Sequence, residues 1–273
     1  MPLASTSAVL AASAGGTGAF NVIQLEHAEA LVAGAERASA PVILQISENC
    51  VRYHRALAPI ALATLAVAKA ATVPVSVHLD HVESVDLVQE AVELGVGSVM
   101  FDASKLDYAD NVTQTRDVAA WCHQRDVWVE AELGEVGGKD GVHAPGARTD
   151  PAEAAEYVRA TGVDALAVAV GSSHAMLTRD AALDFELIEA LAAAVAVPLV
   201  LHGSSGVPDA DLAKAVRSGM KKINIATHLN HTFTDSVRET LAAQPNLVDT
   251  RRYLGPARDA VAAEVARLIG VLA

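Results

Sequence analysis

The chain has few cysteines and no long apolar run. Its two cysteines, Cys50 and Cys122, do not form a CxxC motif, so a secreted disulfide framework is not expected. No segment approaches the ~18–20 consecutive apolar residues of a membrane span. The small apolar residues at the start are not preceded by the Lys or Arg that a signal peptide needs. We therefore expect a soluble, cytoplasmic protein with no membrane partner.

Positive charge is also scarce. The formal net charge is −13, and the chain contains no basic stripe that would bind nucleic acid. A phosphorylated small molecule stays open as a ligand, because backbone N–H groups and a metal ion can bind phosphate without a positive surface. We therefore expect neither nucleic acid nor an anionic membrane as a partner.

Aromatic residues are rare, at 4%, whereas hydrophobic residues make up 52% of the chain. The interior must therefore be built from Ala, Val, Leu and Ile, which suits parallel strands that are buried on both faces. The length of 273 residues is close to that of one (β/α)8 barrel. We expect one barrel domain over residues 1–273.

Eight β-like runs alternate with helix-period stretches such as 26–38, 84–94, 151–160 and 209–218. The runs are 18–23, 41–46, 74–79, 98–103, 127–133, 165–170, 198–202 and 222–226. Regular alternation predicts a parallel sheet, and eight repeats predict a closed (β/α)8 TIM barrel. An open doubly wound sheet is the alternative, but it would need GxGxxG after the first strand, whereas GGTGAF leads into that strand.

Three histidines lie at the carboxyl ends of separate apolar runs. His81 follows strand three, His174 follows strand six and His202 follows strand seven. The carboxyl ends of parallel barrel strands meet at one mouth, so the three imidazoles are expected to converge there. Three imidazoles with an open position are typical of a catalytic zinc site, and His81 is expected to begin the loop after its strand.

Acidic residues accompany these histidines. Asp80 either orients a ligand or exchanges a proton with the substrate, and we prefer the second role. Glu130 and Glu132 face the same side of strand five, where carboxylates need a cation. Asp102 and Glu132 could form an alternative inner metal position, or they could pair with Lys105 or with the histidines.

Two further segments point to the same mouth. The sequence HGSSGVPD (202–209) places glycines and serines before a helix, and such a backbone nest can accept phosphate oxygens. Loops after strands seven and eight are the usual phosphate site of barrel enzymes. The glycine-rich segment 134–149 is long for a βα loop and is either a lid or an ordinary surface loop.

Together, PVSVHLDH, VEAELGEVGG, TGVDALAVAVGSSH, PLVLHGSSGVPD and KINIAT resemble the class II, zinc-dependent ketose-bisphosphate aldolases of the fructose and tagatose type. The resemblance covers nearly the whole chain. It implies a TIM barrel, zinc on His81, His174 and His202, and Asp80 as the acid/base that moves the C4 hydroxyl proton. The implied reaction cleaves or forms the C3–C4 bond of a ketose phosphate, giving dihydroxyacetone phosphate and an aldehyde.

The resemblance also implies partners and contacts. It places an alternative metal position at Asp102 and Glu132. The implied substrate and phosphate contacts are Ser47, Ala175, Gly203, Ser204, Ser205, Asn224, Ala226 and Thr227. Another divalent ion could replace zinc, sodium or potassium could bind near the phosphate loops, and a homodimer or homotetramer is expected.

Three departures from the family pattern concern the substrate. Ala175 replaces the usual glycine after the second zinc histidine, and Asp140 is the only carboxylate near the position of a missing loop glutamate. Thr227 is followed directly by His228, Leu229 and Asn230 instead of a Lys or Arg, so a distal phosphate would lose a charge-assisted contact of ~1.5–3 kcal/mol. Ala226 resembles the tagatose-type branch, and we expect an aldehyde half other than glyceraldehyde 3-phosphate.

Other functions stay open. A Schiff-base aldolase would need an inner lysine, and of the six lysines only Lys221 and Lys222 border a core strand. A metal-dependent hydrolase would use the same zinc to activate water. A non-catalytic sugar-phosphate binder would hold zinc and substrate without exchanging the substrate proton.

Overall fold

The computed structural model describes residues 2–133, 148–172 and 178–273. In this part of the chain, eight parallel strands pair in chain order, and the last pairs with the first to close a barrel. The strands are β1 Thr17–Asn21, β2 Val42–Ser47, β3 Val75–Val82, β4 Ser98–Phe101, β5 Trp128–Glu132, β6 Ala165–Ala167, β7 Leu199–Leu201 and β8 Met220–Ile225. The predicted closed barrel is confirmed, and the open doubly wound sheet is wrong.

One helix precedes the first strand and contributes to the floor of the barrel, and the other helices follow strands and cover the outside. The helices are α1 Thr6–Ala12, α2 Leu25–Arg37, α3 Glu48–His54, α4 Ala58–Ala70, α5 Val85–Glu93, α6 Tyr108–His123, α7 Pro151–Thr161, α8 Phe185–Ala194, α9 Asp209–Ser218, α10 Thr227–Ala243 and α11 Arg251–Leu272. In the described ranges, every helix is too short or too polar to span a lipid bilayer.

Local sequence signals account for several helix boundaries. Ser84 caps α5 by accepting a hydrogen bond from Leu87 N at 3.3 Å. Asp150 caps α7 by accepting from the N–H groups of its second and third residues, at 2.8 and 3.0 Å, and Pro151 occupies the first helical position. Gly162 then ends α7 with a φ of 71°, a conformation that a residue without a Cβ adopts at low cost.

Proline begins three of the apolar runs, and in the structure Pro41, Pro74 and Pro198 each lie one residue before the strand. Pro74 and Pro198 still join the sheet as acceptors, because Val42 N donates to Pro74 O and Leu166 N donates to Pro198 O, both at 3.1 Å. A proline at this edge supplies a carbonyl to the neighbouring strand, and its missing N–H leaves no gap in the ladder.

The end of β3 departs from the sequence-based prediction. His81 was expected to begin a loop, but β3 continues to Val82. His81 has a φ of 49°, in the left-handed region, and the pairing with β4 shifts register between Leu79 and Val82. This bulge interrupts the two-residue alternation of the strand, so simple alternation could not predict the direction of the His81 side chain.

The two faces of the strands are buried in different ways. The outer faces join the helices in one large aliphatic layer that includes Val77, Leu79, Val99, Phe101, Val129, Leu166, Leu199, Leu201, Ile223 and Ile225. The inner faces enclose a small apolar floor, where Val9 of α1 packs on Ala19 and Ile43. Above this floor, the barrel interior becomes polar, which places the candidate site at the carboxyl ends of the strands.

Candidate functional site

The mouth of the barrel collects imidazoles and carboxylates from four strands. His81 and His202 lie with their ring centroids 4.6 Å apart. Asp80, His81 and His202 can each offer one ligand atom, with all three atoms within 4.8 Å of one another. His81, Asp102 and Glu132 form a second such group, which shares His81 with the first. The ends of β3, β4, β5 and β7 therefore bring together the described members of the predicted metal positions.

Three of the predicted site residues cannot be placed. His174 and Ala175 lie in 173–177, and Asp140 lies in 134–147, both outside the described residues. Most of the glycine-rich segment 134–149 lies there as well. Two of the three predicted zinc imidazoles are thus found side by side, and the third stays a prediction.

Asp102 determines the orientation of the His81 ring. His81 Nδ1 and Asp102 Oδ2 are 2.8 Å apart, and an ionised carboxylate can only accept, so Nδ1 carries the donated hydrogen. Asp102 is itself held by Ser104, whose hydroxyl and backbone N–H donate to Oδ1 at 2.6 and 3.2 Å. A carboxylate that accepts from one nitrogen of a histidine commonly orients the other nitrogen toward a metal ion.

Asp80 is a buried, ionised carboxylate. Burial by itself opposes its ionisation, but the nearby His81, Lys222 and His202 outweigh this and lower the pKa of Asp80 below its usual value. Among the residues that the structure describes, no group forms a hydrogen bond with Asp80 Oδ1. Asp80 Oδ1 is therefore available to accept a proton.

His78 precedes Asp80 by two residues on β3, so both side chains lie on the same face of the strand, and His78 is neutral. Burial, followed by the charge of Lys222, lowers the pKa of His78 to about 3. Its Nδ1 lies 2.6 Å from Ser98 Oγ, and its Nε2 lies 3.9 Å from Asp80 Oδ1, too far for a hydrogen bond. His78 therefore does not donate a hydrogen bond to Asp80.

The charges of the interior fit a bound cation. Within the described ranges, the barrel buries the carboxylates of Asp80, Asp102, Glu130 and Glu132, whereas Lys222 is the only buried lysine or arginine. Uncompensated buried carboxylates are costly. Burial opposes protonation of His202, but hydrogen bonds to Glu130 and Glu132 outweigh it and raise the pKa of His202 to about 9. A divalent ion could supply the positive charge that this proton otherwise supplies.

The loops after β7 and β8 lie against each other. Gly203 adopts a φ of 66° and leads into a 3₁₀ turn over Ser204–Gly206. Ser205 Oγ accepts from the N–H groups of Ala226 and His228, at 3.2 and 3.3 Å, and Ser204 Oγ donates to the carbonyl of Asn224. The serine hydroxyls thus cross-link the two loops, while Thr227 opens α10 beside them.

Ser47 and Asn224 border the same mouth. Ser47 ends β2, lies opposite Asp80 in the pairing of β2 with β3, and caps α3 by accepting from Cys50 N at 3.2 Å. Asn224 is buried, and no group in the described chain pairs with its Oδ1. Both positions adjoin the acid or the phosphate loops.

The sequence analysis did not predict the interior position of Gln45 or the pairing of Lys222 with Glu130. Gln45 is buried and donates from Nε2 to Asn21 Oδ1 at 3.1 Å, and in the described structure its own Oε1 lacks a partner. Lys222 lies 2.7 Å from Glu130 Oε2. The available signal was a polar residue within an otherwise apolar strand: Gln45 in PVILQI, and Lys222 and Asn224 in KINIA.

The Schiff-base alternative loses its candidate lysine. Lys222 is fully buried, and its ammonium group is bound to Glu130 across the barrel. Lys221, its neighbour, points out of the barrel into solvent. A nucleophilic lysine must be neutral and must reach the substrate carbonyl, and neither residue is placed for that role.

A closed (β/α)8 barrel with a cluster of possible metal ligands at its carboxyl-end mouth is the architecture of metal-dependent barrel enzymes. The family model for class II fructose-bisphosphate aldolases matches residues 6–273, and the chain belongs to this family. It is a metal-dependent aldolase, a lyase of carbon–carbon bonds, and the members of this class are generally zinc-dependent.

Named relatives agree with this assignment. The chain is 41% identical over 252 residues to the fructose-bisphosphate aldolase of Geobacillus stearothermophilus, covering 91% of this chain and 88% of that protein. It is 40% identical over 248 residues to the fructose-bisphosphate aldolase of Staphylococcus aureus, covering 89% and 87%. The crystal structure of the YdjI aldolase from Escherichia coli K12 matches with a TM-score of 0.84 and 34% identity, over 94% of this chain and 91% of that one.

Proposed function

We propose that this chain, as one domain over residues 1–273, cleaves and forms the C3–C4 bond of a ketose phosphate with zinc held by His81, His174 and His202. The products of cleavage are dihydroxyacetone phosphate and an aldehyde. The observation that carries the proposal is the adjacent pair of rings, His81 and His202, 4.6 Å apart beside an ionised Asp80. When bound, zinc supplies a Lewis acid that polarises the substrate carbonyl.

Asp80 is the acid/base in this proposal. In cleavage it accepts the proton of the C4 hydroxyl as the C3–C4 bond breaks, and in condensation it returns the proton to the new hydroxyl. Its lowered pKa keeps the carboxylate ready to accept, and its burial excludes water from the same oxygen. Asp102 and Glu132 offer an alternative position for the ion.

The phosphate of the dihydroxyacetone half binds at the loops after β7 and β8. Gly203, Ser204, Ser205, Ala226 and Thr227 supply backbone and hydroxyl groups at the point where these loops meet. Asn224 contacts the oxygens near the reacting carbon, and Ser47 and the N–H of Ala175 complete the substrate contacts. Sodium or potassium binds beside the phosphate loops.

The wider expectations follow from the same assignment. The substrate is a sugar phosphate, the working assembly is a homodimer or homotetramer in the cytoplasm, and nucleic acid and membranes are not partners. The aldehyde half differs from glyceraldehyde 3-phosphate, because His228, Leu229 and Asn230, the residues directly after Thr227, include no Lys or Arg. Sedimentation of the purified protein tests the assembly.

A panel of aldehydes offered with dihydroxyacetone phosphate tests the reaction and the substrate together. We expect condensation products with a subset of the aldehydes, loss of all products after chelation, and recovery when zinc is added back. Products that survive complete removal of metal would contradict the proposal. Phosphate release or amide cleavage without aldol products would favour the hydrolase alternative.

Asp140 is proposed to exchange the C–H proton of dihydroxyacetone phosphate, in place of the missing loop glutamate. Asp140→Ala should slow exchange of this proton with solvent deuterium while the zinc content is unchanged, and Lys139→Ala is the matched control. Exchange at the original rate in Asp140→Ala rejects this role. Zinc and substrate binding without any exchange in the unaltered protein would favour the non-catalytic binder.

A further inference from the structure

Three buried charged or polar side chains form a row across the barrel interior, and His202 is the last of them. Lys222 Nζ is 2.7 Å from Glu130 Oε2, and Glu130 Oε1 is 2.9 Å from His202 Nε2. All three side chains are 0% exposed. We call this set the interior row: Lys222, Glu130 and His202. It crosses the barrel, because the residues belong to β8, to β5 and to the end of β7, and β5 does not pair with β8.

The two ring nitrogens of His202 face different surroundings. Nε2 faces Glu130, which is anchored by Lys222, whereas Nδ1 lies 3.2 Å from Glu132 Oε2. Glu132 belongs with His81 and Asp102 to a group that could hold an ion, and Glu130 belongs to neither such group. The Nδ1 side therefore faces the possible metal position, and the Nε2 side faces the barrel interior.

An ionised carboxylate accepts hydrogen bonds and cannot donate, so Glu130 requires a hydrogen on Nε2 of His202. In this structure Nδ1 also donates, to Glu132 Oε2 at 3.2 Å, so it would have to lose that hydrogen in order to bind an ion. The neutral ring would then keep its hydrogen on Nε2, held by Glu130, and have its lone pair on Nδ1, the nitrogen that faces the mouth. Lys222 holds Glu130 from the opposite side, so the carboxylate cannot turn toward the mouth and bind the ion itself.

We propose that Glu130 and Lys222 are positioning residues that fix the tautomer and orientation of His202, so that its Nδ1 binds the metal ion. This proposal rests on the proposed function, because it takes His202 as a zinc ligand. It assigns a purpose to the one buried lysine in the described part of the chain, which no substrate contact or Schiff base explains.

The test removes both buried charges at once, because a single change would leave the other charge without a partner. Glu130→Leu/Lys222→Met is compared with the unaltered protein and with Lys221→Met, which changes the exposed neighbour on the same strand. Each protein is prepared metal-free, and its fold is checked by circular dichroism. Zinc affinity is then measured by competition with a chromophoric chelator, and the Co²⁺ form is examined by visible absorption.

We expect the double variant to bind zinc roughly 10–100-fold more weakly, the range typical for loss of a group that orients a metal ligand. Its Co²⁺ absorption bands should shift, because the ligand geometry changes. Glu130→Gln keeps an acceptor oxygen and should retain more affinity than the double variant. Lys221→Met should match the unaltered protein in both measurements.

Failure of this inference can be distinguished from failure of the proposed function. A folded double variant with unchanged zinc affinity and an unchanged Co²⁺ spectrum overturns the positioning role alone. Unchanged zinc affinity in His202→Ala overturns the assignment of His202 as a ligand, and the positioning role with it. If this double variant does not fold, the ¹⁵N shifts of His202 are measured instead in the zinc form of Glu130→Met/Lys222→Met, which also removes both charges with less change in side-chain volume. An Nδ1-ligated pattern that is unchanged from the unaltered protein also overturns the role.

Discussion

The two faces of the same eight strands have opposite chemistry. The face toward the helices is aliphatic, as Val129 on β5 and Ile223 on β8 illustrate. The residues next to them in sequence, Glu130 and Lys222, point to the barrel interior and form an ion pair there. One layer gains stability by removing apolar area from water. The other layer buries charges that contribute little to stability unless they are paired, and it places them next to the candidate site.

This contrast separates the two tasks of the barrel. Changes in the aliphatic layer should alter the free energy of unfolding and leave the chemistry intact. Changes in the polar interior should alter metal binding or turnover at a smaller cost in stability. The following four substitutions test that separation, and each has a matched control elsewhere in the chain.

Asp80→Asn should have the largest effect. The substitution keeps the size of the side chain but removes the proton-accepting carboxylate, so kcat should fall roughly 10²–10⁴-fold, the usual contribution of general acid–base catalysis. Zinc content and the melting temperature should change little. Asp86→Asn, on the exposed first turn of α5, is the control. Near-normal turnover in Asp80→Asn would show that another group moves the proton.

Leu31→Ala should produce the largest loss of stability. Leu31 lies on α2, is fully buried in the aliphatic layer, and would leave a cavity that costs ~2–5 kcal/mol of unfolding free energy. Urea denaturation measures this loss, and kcat at a temperature where the variant is folded should be normal. Leu62→Ala, at a position 51% exposed, is the control. A strong fall in kcat for folded Leu31→Ala would break the separation of the two layers.

Tyr157→Phe examines a polar cluster on the helix side of β5. The Tyr157 hydroxyl donates to Asn111 Oδ1 at 2.6 Å, and Asn111 Nδ2 donates to the carbonyl of Glu132 at 3.3 Å. Loss of this buried bond should cost ~1–2 kcal/mol in the free energy of unfolding. Tyr53→Phe, at an exposed position, is the control. If zinc affinity also falls, the cluster supports the carboxylate of Glu132 as well as its backbone.

Asp209→Asn should have the smallest effect. Asp209, on α9, accepts hydrogen bonds from Arg179 Nη2 at 2.6 Å and from Arg267. These two ion pairs connect α9 to the segment before α8 and to α11. The side chain is 37% exposed, so solvent screening limits the contribution to about 0.5–1 kcal/mol. Asp235→Asn, which removes a more exposed pair with Arg238, is the control.

The pH dependence of this effect has a definite sign. Partial burial opposes ionisation of Asp209, but the hydrogen bonds from Arg267 and Arg179 outweigh it and lower the pKa of Asp209 below 3.8. A lowered pKa adds stability that is present above the unfolded value and lost as the pH falls through the folded value. The difference in unfolding free energy between Asp209 and Asp209→Asn should therefore be constant near neutrality, begin to decrease as the pH falls below the unfolded pKa of an aspartate, and be lost once the pH falls below the lowered folded pKa. A difference that persists in stronger acid would contradict this origin.

Local patterns in the sequence were sufficient for much of the fold. A helix-capping residue bonds to N–H groups only two or three positions away, as Ser84 and Asp150 do, and Pro151 favours the first helical position by its own geometry. A helix boundary can therefore be inferred wherever such a signal occurs. The convergence of His81 and His202 followed from one rule about parallel barrels, which needs only the order of the strands.

Contacts that form only when the barrel closes could not be predicted from the sequence. Lys222 and Glu130 are 92 residues apart, and nothing local indicates that they meet across the interior. The direction of His81 depends on the register of β3 against β4, which is a property of two strands together. His174 and Asp140 lie outside the described residues, and their roles stay predictions.

The left-handed conformation of His81 matters to anyone who would build such a barrel from scratch. In a regular strand, adjacent residues point to opposite faces, so an idealised template could direct either Asp80 or His81 to the mouth, but not both. The irregular torsion is what allows an acid and its neighbouring imidazole to share one cavity, at a conformational cost of about 1–3 kcal/mol. A designer who replaced this irregular strand with a regular one would gain stability and lose the placement of these two side chains in the same cavity.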